Sequence, residues 1–159
     1  MRKSSQTEVT IREPKPEDID QLLAIERRCF RTHRFIREDF QYHLRNPLSI
    51  FAVAEVAGEI AGYVAGIIYQ GAHRKIGRIY SMAVLPKWRT RGIGSRFLRY
   101  FEHEAAMAGS QAVTLEVRKT NRTAYSLYTH AGYEVKKTLA NYYAIGSDGL
   151  RMRKQLNPD

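Results

Sequence analysis

Apolar residues change their spacing several times along the chain, and each change marks an element. Ile19, Leu22, Leu23 and Phe30 recur at helical intervals, with Glu26 the one polar interruption of the stripe. Pro16 suits the first turn of that helix, and Glu17 and Asp18 complement its dipole. Val9 to Arg12 reads as a short strand ahead of it. A second helix is predicted from Arg37 to about Arg45, stopped by Asn46-Pro47. Ile50 to Val56 and Ile60 to Tyr69 then read as a hairpin turning at Ala57-Gly58-Glu59. Lys75 to Val84 is a further strand, with Ile76, Arg78, Tyr80, Met82 and Val84 on one side and Ile79, Ser81 and Ala83 on the other, ended by Pro86. From Gly92 to about Gly109 the period is helical again, with Ile93, Phe97, Phe101, Ala105 and Ala108 on one face. Val113, Leu115 and Val117 alternate with Thr114, Glu116 and Arg118 as a strand. Ala124, Leu127, Tyr128 and Ala131 make a short helix closed by Gly132, and Tyr133–Tyr143 and Leu150–Leu156 are two closing strands.

The resulting order, β, α, α, β, β, β, α, β, α, β, β, predicts an α/β chain with a mixed sheet and helices packed on it. The strand–helix–strand around Gly92 is expected to be right-handed, its strands parallel. A length of 159 residues fits one domain, 1–159, with its core over about 10–156, and 43% hydrophobic residues are enough to fill it. There are 26 Lys+Arg against 16 Asp+Glu, a formal +10, which favours anionic partners such as phosphorylated small molecules or nucleic acid. Cys29 is the only cysteine, so no disulfide closes within the chain, and it reads as a small core residue. The five histidines show no metal-ligand spacing, and no metal is expected. Met1 to Glu8 lacks the apolar run of a secretory signal, and Glu55, Gly58, Glu59 and Gly62 interrupt the most apolar stretch. A cytoplasmic protein without a membrane partner is the expectation.

The segment Val84-Leu-Pro-Lys-Trp-Arg-Thr-Arg-Gly-Ile-Gly94-Ser95 carries the clearest chemistry. Gly92 and Gly94 let the backbone approach a ligand. The first amides of the following helix point the same way, and Arg89 and Arg91 add full charges. That combination suits a diphosphate. A Rossmann fingerprint would need glycine in place of Phe97, and a Walker loop would need Gly-Lys-Ser/Thr.

Arg89-x-x-Gly92-x-Gly94 resembles the acetyl-coenzyme A loop of the GNAT acetyltransferases. Leu115-Glu116-Val117-Arg118-x-x-Asn121-x-x-Ala124-x-x-Leu127-Tyr128-x-x-x-Gly132-Tyr133, with Asn141-Tyr142-Tyr143, resembles the ribosomal-protein-alanine N-acetyltransferase branch. The likeness runs from about Thr10 to Leu156. It implies a GNAT fold with six or seven strands and helices on both faces. The donor it implies is acetyl-CoA as co-substrate, with no metal. By the same resemblance Met82, Ala83 and Val84 offer backbone groups to the pantetheine arm, and the Val84 amide polarises the thioester. Thr90, Arg91, Gly92, Ile93, Gly94 and Ser95, with Arg89, hold the diphosphate; Asn121 bonds the pantetheine. Glu116 becomes the general base, directly or through water, and Tyr128 the acid that protonates the departing thiolate. Tyr142 and Tyr143 border the acceptor groove.

Read without the resemblance, Met82 and Val84 are core, Asn121 is a helix cap, Glu116 is an exposed strand residue paired with Arg118, and Tyr128 is a core tyrosine. The branch often carries Pro-Trp between its first two helices, where this chain has the basic Phe30-Arg-Thr-His-Arg-Phe35-Ile36. The implied function is acetyl transfer to a primary amine by direct attack in a ternary complex. The acceptor read first is a protein N-terminus, extending to a ribosomal protein. Presenting an α-amine neutral at pH 7 costs about 1 kcal/mol, against about 4.6 for a lysine side chain. Lysine, a polyamine or another small amine is the alternative acceptor. A basic RNA- or ribosome-binding module on an inactive fold is the alternative of another class, although no RNA-binding signature is present and no specific nucleic-acid partner is expected. A monomer or weak homodimer is the expected state.

Overall fold

The computed structural model describes residues 8–156. Its elements follow the predicted order: β1 (Val9–Arg12), α1 (Ile19–Cys29), α2 (Arg37–Arg45), β2 (Ser49–Val56), β3 (Glu59–Gln70), β4 (Lys75–Val84), α3 (Ile93–Met107), β5 (Ser110–Arg118), α4 (Arg122–His130), β6 (Glu134–Ala144) and β7 (Ser147–Gln155). Short 3₁₀ turns at Pro16–Asp18 and Pro86–Trp88 precede α1 and follow β4. The seven strands lie in the order β1-β2-β3-β4-β5-β7-β6. The sheet is mixed. β4 pairs β5 in parallel from Lys75–Ser110 to Arg78–Thr114, and β7 inserts antiparallel between β5 and β6.

Chain contacts divide the molecule into two compact units, one of residues 8–66 and 81–97, the other of 67–80 and 98–156. In the first, Ile19, Leu22 and Ile25 of α1 pack with Phe40, Phe51, Val53, Ile60 and Tyr63 in one core. Its aromatic rings interlock: Phe40 meets Tyr63 edge-on at 5.3 Å and Phe35 stacks on His43 at 5.6 Å. Burial lowers the His43 pKa, so this ring sits neutral in the stack. In the second, Phe101, Ala105, Leu115, Met152 and Tyr133 are buried. Glu102 there accepts from the Tyr133 hydroxyl and from Lys154, each at 2.9 Å.

Three expectations shift. Ile25 joins the buried face of α1, whereas Ala108 lies exposed because α3 ends at Met107. β7 begins at Ser147 rather than Leu150. Asp148 and Gly149 resemble a turn in sequence, yet Asp148 accepts the Asn141 amide at 2.9 Å, and Gly149 sits under two rings that a Cβ would meet tightly, at 3.1 Å.

Candidate active site

The first unit carries the loop expected to bind the diphosphate. Trp88 fixes its start by donating to Glu59 at 2.6 Å, and Lys87 pairs with the same carboxylate at 2.9 Å. Trp88 foremost, then Lys87, hold the Glu59 carboxyl below its ordinary pKa. Thr90 (φ 66°) and Gly92 (φ 77°) are left-handed, with Arg91 on the ordinary side between them. Such alternation turns successive amides toward one side and makes a concave anion seat. Only glycine takes that conformation without cost, so Thr90 is held there under strain. The Arg96 amide donates to Gly92 oxygen at 3.0 Å as α3 begins, and the amides of Ile93, Gly94 and Ser95 precede that bond. First-turn amides have no partner inside a helix and carry its positive dipole end.

The two arginines of the loop are used differently from each other. Arg91 lies over the Trp88 ring at 5.1 Å. Arg89, expected to face phosphate, instead folds back: its Nε donates to the Val84 carbonyl at 2.8 Å, with Nη2 3.7 Å from Cys29 Sγ. A carbonyl at a strand end takes a nearby cation when no ladder amide meets it. The Cys29 thiol also donates to Val84 oxygen, at 3.6 Å, and burial raises its pKa. It is therefore a poor thiolate nucleophile.

Met82, Ala83 and Val84 form the end of β4, against β3. A Cβ at Gly62 would lie 2.3 Å from the Ala83 oxygen and 3.0 Å from Val84 Cα, while the Leu85 amide reaches Ala61 oxygen at 2.8 Å. The backbones approach so closely here that Gly62 admits only hydrogen.

The second unit holds Glu116 and Tyr128. The Glu116 side chain is 8% exposed, despite its place on the non-core side of β5. Arg78 donates to Oε1 through Nη2 at 2.8 Å and Nε at 3.2 Å, and Arg151 donates to Oε2 through Nε at 3.0 Å. The expected partner, Arg118, turns away to Ser147 Oγ at 2.6 Å and lies over the Tyr143 ring at 4.4 Å. Register explains the exchange: Arg151 stands directly opposite Glu116 on β7, and Arg78 opposite Thr114 on β4, one diagonal step away. Two guanidiniums thus clamp the carboxylate, and Arg78 also reaches the Tyr142 hydroxyl at 3.3 Å.

Tyr128 is buried in α4, edge-on to Tyr133 at 6.0 Å. Burial first, and then the neighbouring Tyr143, push its phenol up to about 12. It keeps its proton at neutral pH, as a proton donor must. Asn121 caps α4, its side-chain oxygen accepting the Ala124 amide at 3.1 Å, so the cap is real and its NH₂ is the half able to reach a ligand. Tyr142 and Tyr143 meet edge to face at 4.9 Å, both rings against Gly149. Asn141, at φ 54°, aims them by accepting the Gly146 amide at 2.7 Å.

Arg78, Arg151, Glu59 and Trp88 escaped the reading of the sequence. Their one visible signal was a charged or polar residue on the non-core side of a strand or beside a turn, which does not reveal a partner. Among the described residues no group of three or more His, Cys, Asp or Glu could hold a metal ion, and no helix is long and apolar enough to cross a membrane.

Comparison with known proteins places these features in a family. The model for the Acetyltransferase (GNAT) family matches residues 17–133, through both units. An N-alpha-acetyltransferase of Sulfurisphaera tokodaii is 32% identical, over 94% of this chain and 94% of that protein. The crystal structure of Ard1 from Thermoplasma volcanium is 29% identical with a TM-score of 0.84, covering 94% of this chain and 98% of that one. The ribosomal-protein-S18-alanine N-acetyltransferase of Escherichia coli shares the fold at a TM-score of 0.80 and 21% identity, over 94% and 95% of the two chains. Seven mixed strands, an amide-lined loop opening α3 and a family match across three-quarters of the sequence agree: the chain belongs to the GNAT family of acetyl-CoA-dependent N-acetyltransferases.

Proposed function

We propose that this enzyme acetylates the N-terminal α-amino group of proteins. The observation that carries this reading is a likeness, over 94% of both chains, to a protein named for N-alpha-acetyl transfer. The basic composition adds weaker support for acceptors made amid nucleic acid, ribosomal proteins included. A single acetyltransferase domain acting as a monomer suffices for the chemistry.

The roles follow from the groups available. The amides from Thr90 to Ser95, with Arg91, would take the diphosphate of acetyl-CoA, and the backbone of Met82, Ala83 and Val84 would run beside its pantetheine arm. The Asn121 NH₂ would donate to the same arm. Attack by a neutral amine forms the new C–N bond and breaks the C–S bond; the proton nitrogen loses replaces the one sulfur gains, so the products are the amide and free coenzyme A thiol with no net proton. The Val84 N–H would meet the negative charge that develops on the carbonyl oxygen, a role for which a fixed backbone donor serves well. Tyr128 would hand its proton to the departing sulfur. Glu116 has both oxygens engaged by arginines, so we assign it to hold a water that accepts the amine's proton, rather than to abstract the proton itself. Tyr142 and Tyr143 would border the entering peptide.

An acceptor screen tests the reading. Peptides with free N-termini, blocked peptides with internal lysine, and polyamines are each supplied with acetyl-CoA, and thiol release is followed with mass mapping of the product. Free N-termini are expected to be acetylated with the highest kcat/KM. Acetylation confined to lysine side chains or polyamines overturns it.

A further inference from the structure

Glu26 is the one ionisable residue inside the apolar stripe of α1, and the mechanism above does not use it. It is 1% exposed. Its Oε2 accepts the Phe35 amide at 2.8 Å, and its Oε1 accepts the hydroxyl of Tyr63, itself fully buried. The Tyr63 oxygen in turn lies 2.6 Å from Ser81 Oγ. A carboxylate only accepts, so Tyr63 donates to Glu26 and Ser81 donates to Tyr63. The bonds therefore converge on Glu26, from β4 through β3 on one side and from the segment that joins α1 to α2 on the other.

Its two ends are the informative part. At one end Ser81 immediately precedes Met82, Ala83 and Val84. At the other, Phe35 closes a connection whose residues Arg31 to Arg34 are exposed, with His33 left-handed at φ 56°. The Phe35 ring is packed against Phe40 and His43, and its amide is held by Glu26. An apolar residue at 26 would leave the Phe35 amide without its acceptor and the Tyr63 hydroxyl with Ser81 Oγ alone.

We infer that Glu26 is a positioning residue for the acceptor: through Phe35 and Tyr63 it fixes the 30–36 connection relative to the end of β4. The inference rests on the reading above, in which the end of β4 lies beside the thioester; Cys29, which leads into this connection, donates to the Val84 carbonyl at 3.6 Å, and the inference adds that the connection borders the acceptor's approach. Acceptor and donor are then registered against each other by one buried carboxylate, and disturbing it alters acceptor binding while leaving donor binding alone.

The test uses Glu26→Leu, Glu26→Gln and Tyr63→Phe, with the best acceptor from the screen whatever its chemical class. Hydrogen exchange at the Phe35 amide, acceptor KM, kcat and the dissociation constant for coenzyme A are measured for each. Glu26→Leu is expected to speed Phe35 exchange at least tenfold while the α1 amides stay protected. It should raise acceptor KM at least tenfold and leave coenzyme A binding within twofold. Glu26→Gln, which retains a carbonyl acceptor, is expected to restore KM to within about threefold of wild type. Tyr63→Phe should raise KM severalfold, and it carries the test if Glu26→Leu does not fold. Fast Phe35 exchange with unchanged acceptor KM overturns the inference, as does an equal loss of coenzyme A binding. A wild type that prefers lysine or polyamines defeats the N-terminal assignment and leaves this inference to its own readouts.

Discussion

Glu116 and Tyr128 sit in opposite environments, and their substitution should show it. The carboxylate is cross-linked to two arginines, whereas the phenol is enclosed by rings and raised to about 12. Glu116→Gln and Tyr128→Phe are each expected to lower kcat by about 100-fold, the usual scale for a lost acid–base group, with coenzyme A affinity unchanged by calorimetry. The sign of the tyrosine shift sets a pH consequence. A phenol titrating near 10 would lose its proton, and the enzyme its acid, above that pH; raised to about 12, it stays protonated until then. The kcat profile should show no alkaline fall between pH 8 and about 10.5, and a fall near 9 to 10 would remove Tyr128 from the role. What the sequence disclosed at this scale was residue identity rather than partnership. Asn121 was legible as a cap because capping is local. The break at Glu26 in an apolar stripe was legible too. Tyr63 and Ser81, which explain that break, lie 37 and 55 residues away and share no pattern with it.

At the level of elements, β3 and β4 meet where one hydrogen atom's worth of space separates Gly62 from the Ala83 carbonyl. Gly62→Ala must push two backbones apart, so we expect a loss of about 2–3 kcal/mol in denaturant unfolding. The displaced β4 end should also weaken coenzyme A binding several-fold; a variant as stable and as tight as wild type would contradict the close packing. Elements and their order were readable because their apolar periods are long and their punctuation is strong, as in Asn46-Pro47 and Gly132. The start of β7 was not, since Asp148-Gly149 resembles a turn until Tyr142 and Tyr143 come to lie over it. Arg118 shares a strand face with Glu116, which is all that the alternation along β5 offers as a partner. Which residues face Glu116 across the sheet depends on the insertion of β7 between β5 and β6, and alternation within a strand carries no information about neighbour order.

For the whole molecule, the charge is uneven. Among described residues the unit of 67–80 and 98–156 carries twelve Lys+Arg to five Asp+Glu, and the other unit twelve to ten. Acetyl-CoA is a polyanion, so its kcat/KM is expected to fall several-fold between about 0.05 and 0.5 M salt, with a much smaller effect on an uncharged acceptor peptide. Salt-independent rates would leave the surplus charge without a part in donor capture. The bracket formed by Arg78 and Arg151 bears on the other substrate. Two permanent cations around one anion leave a positive remainder, which discourages an incoming ammonium and tolerates its free base. Selection of the deprotonated visitor would then fall to the surroundings of Glu116, and the acidic limb of kcat/KM would belong to the peptide. Exchanging the peptide's first residue for one with a less basic terminus should slide that limb to lower pH by the difference in the two amines' own ionisation, with the protein unchanged.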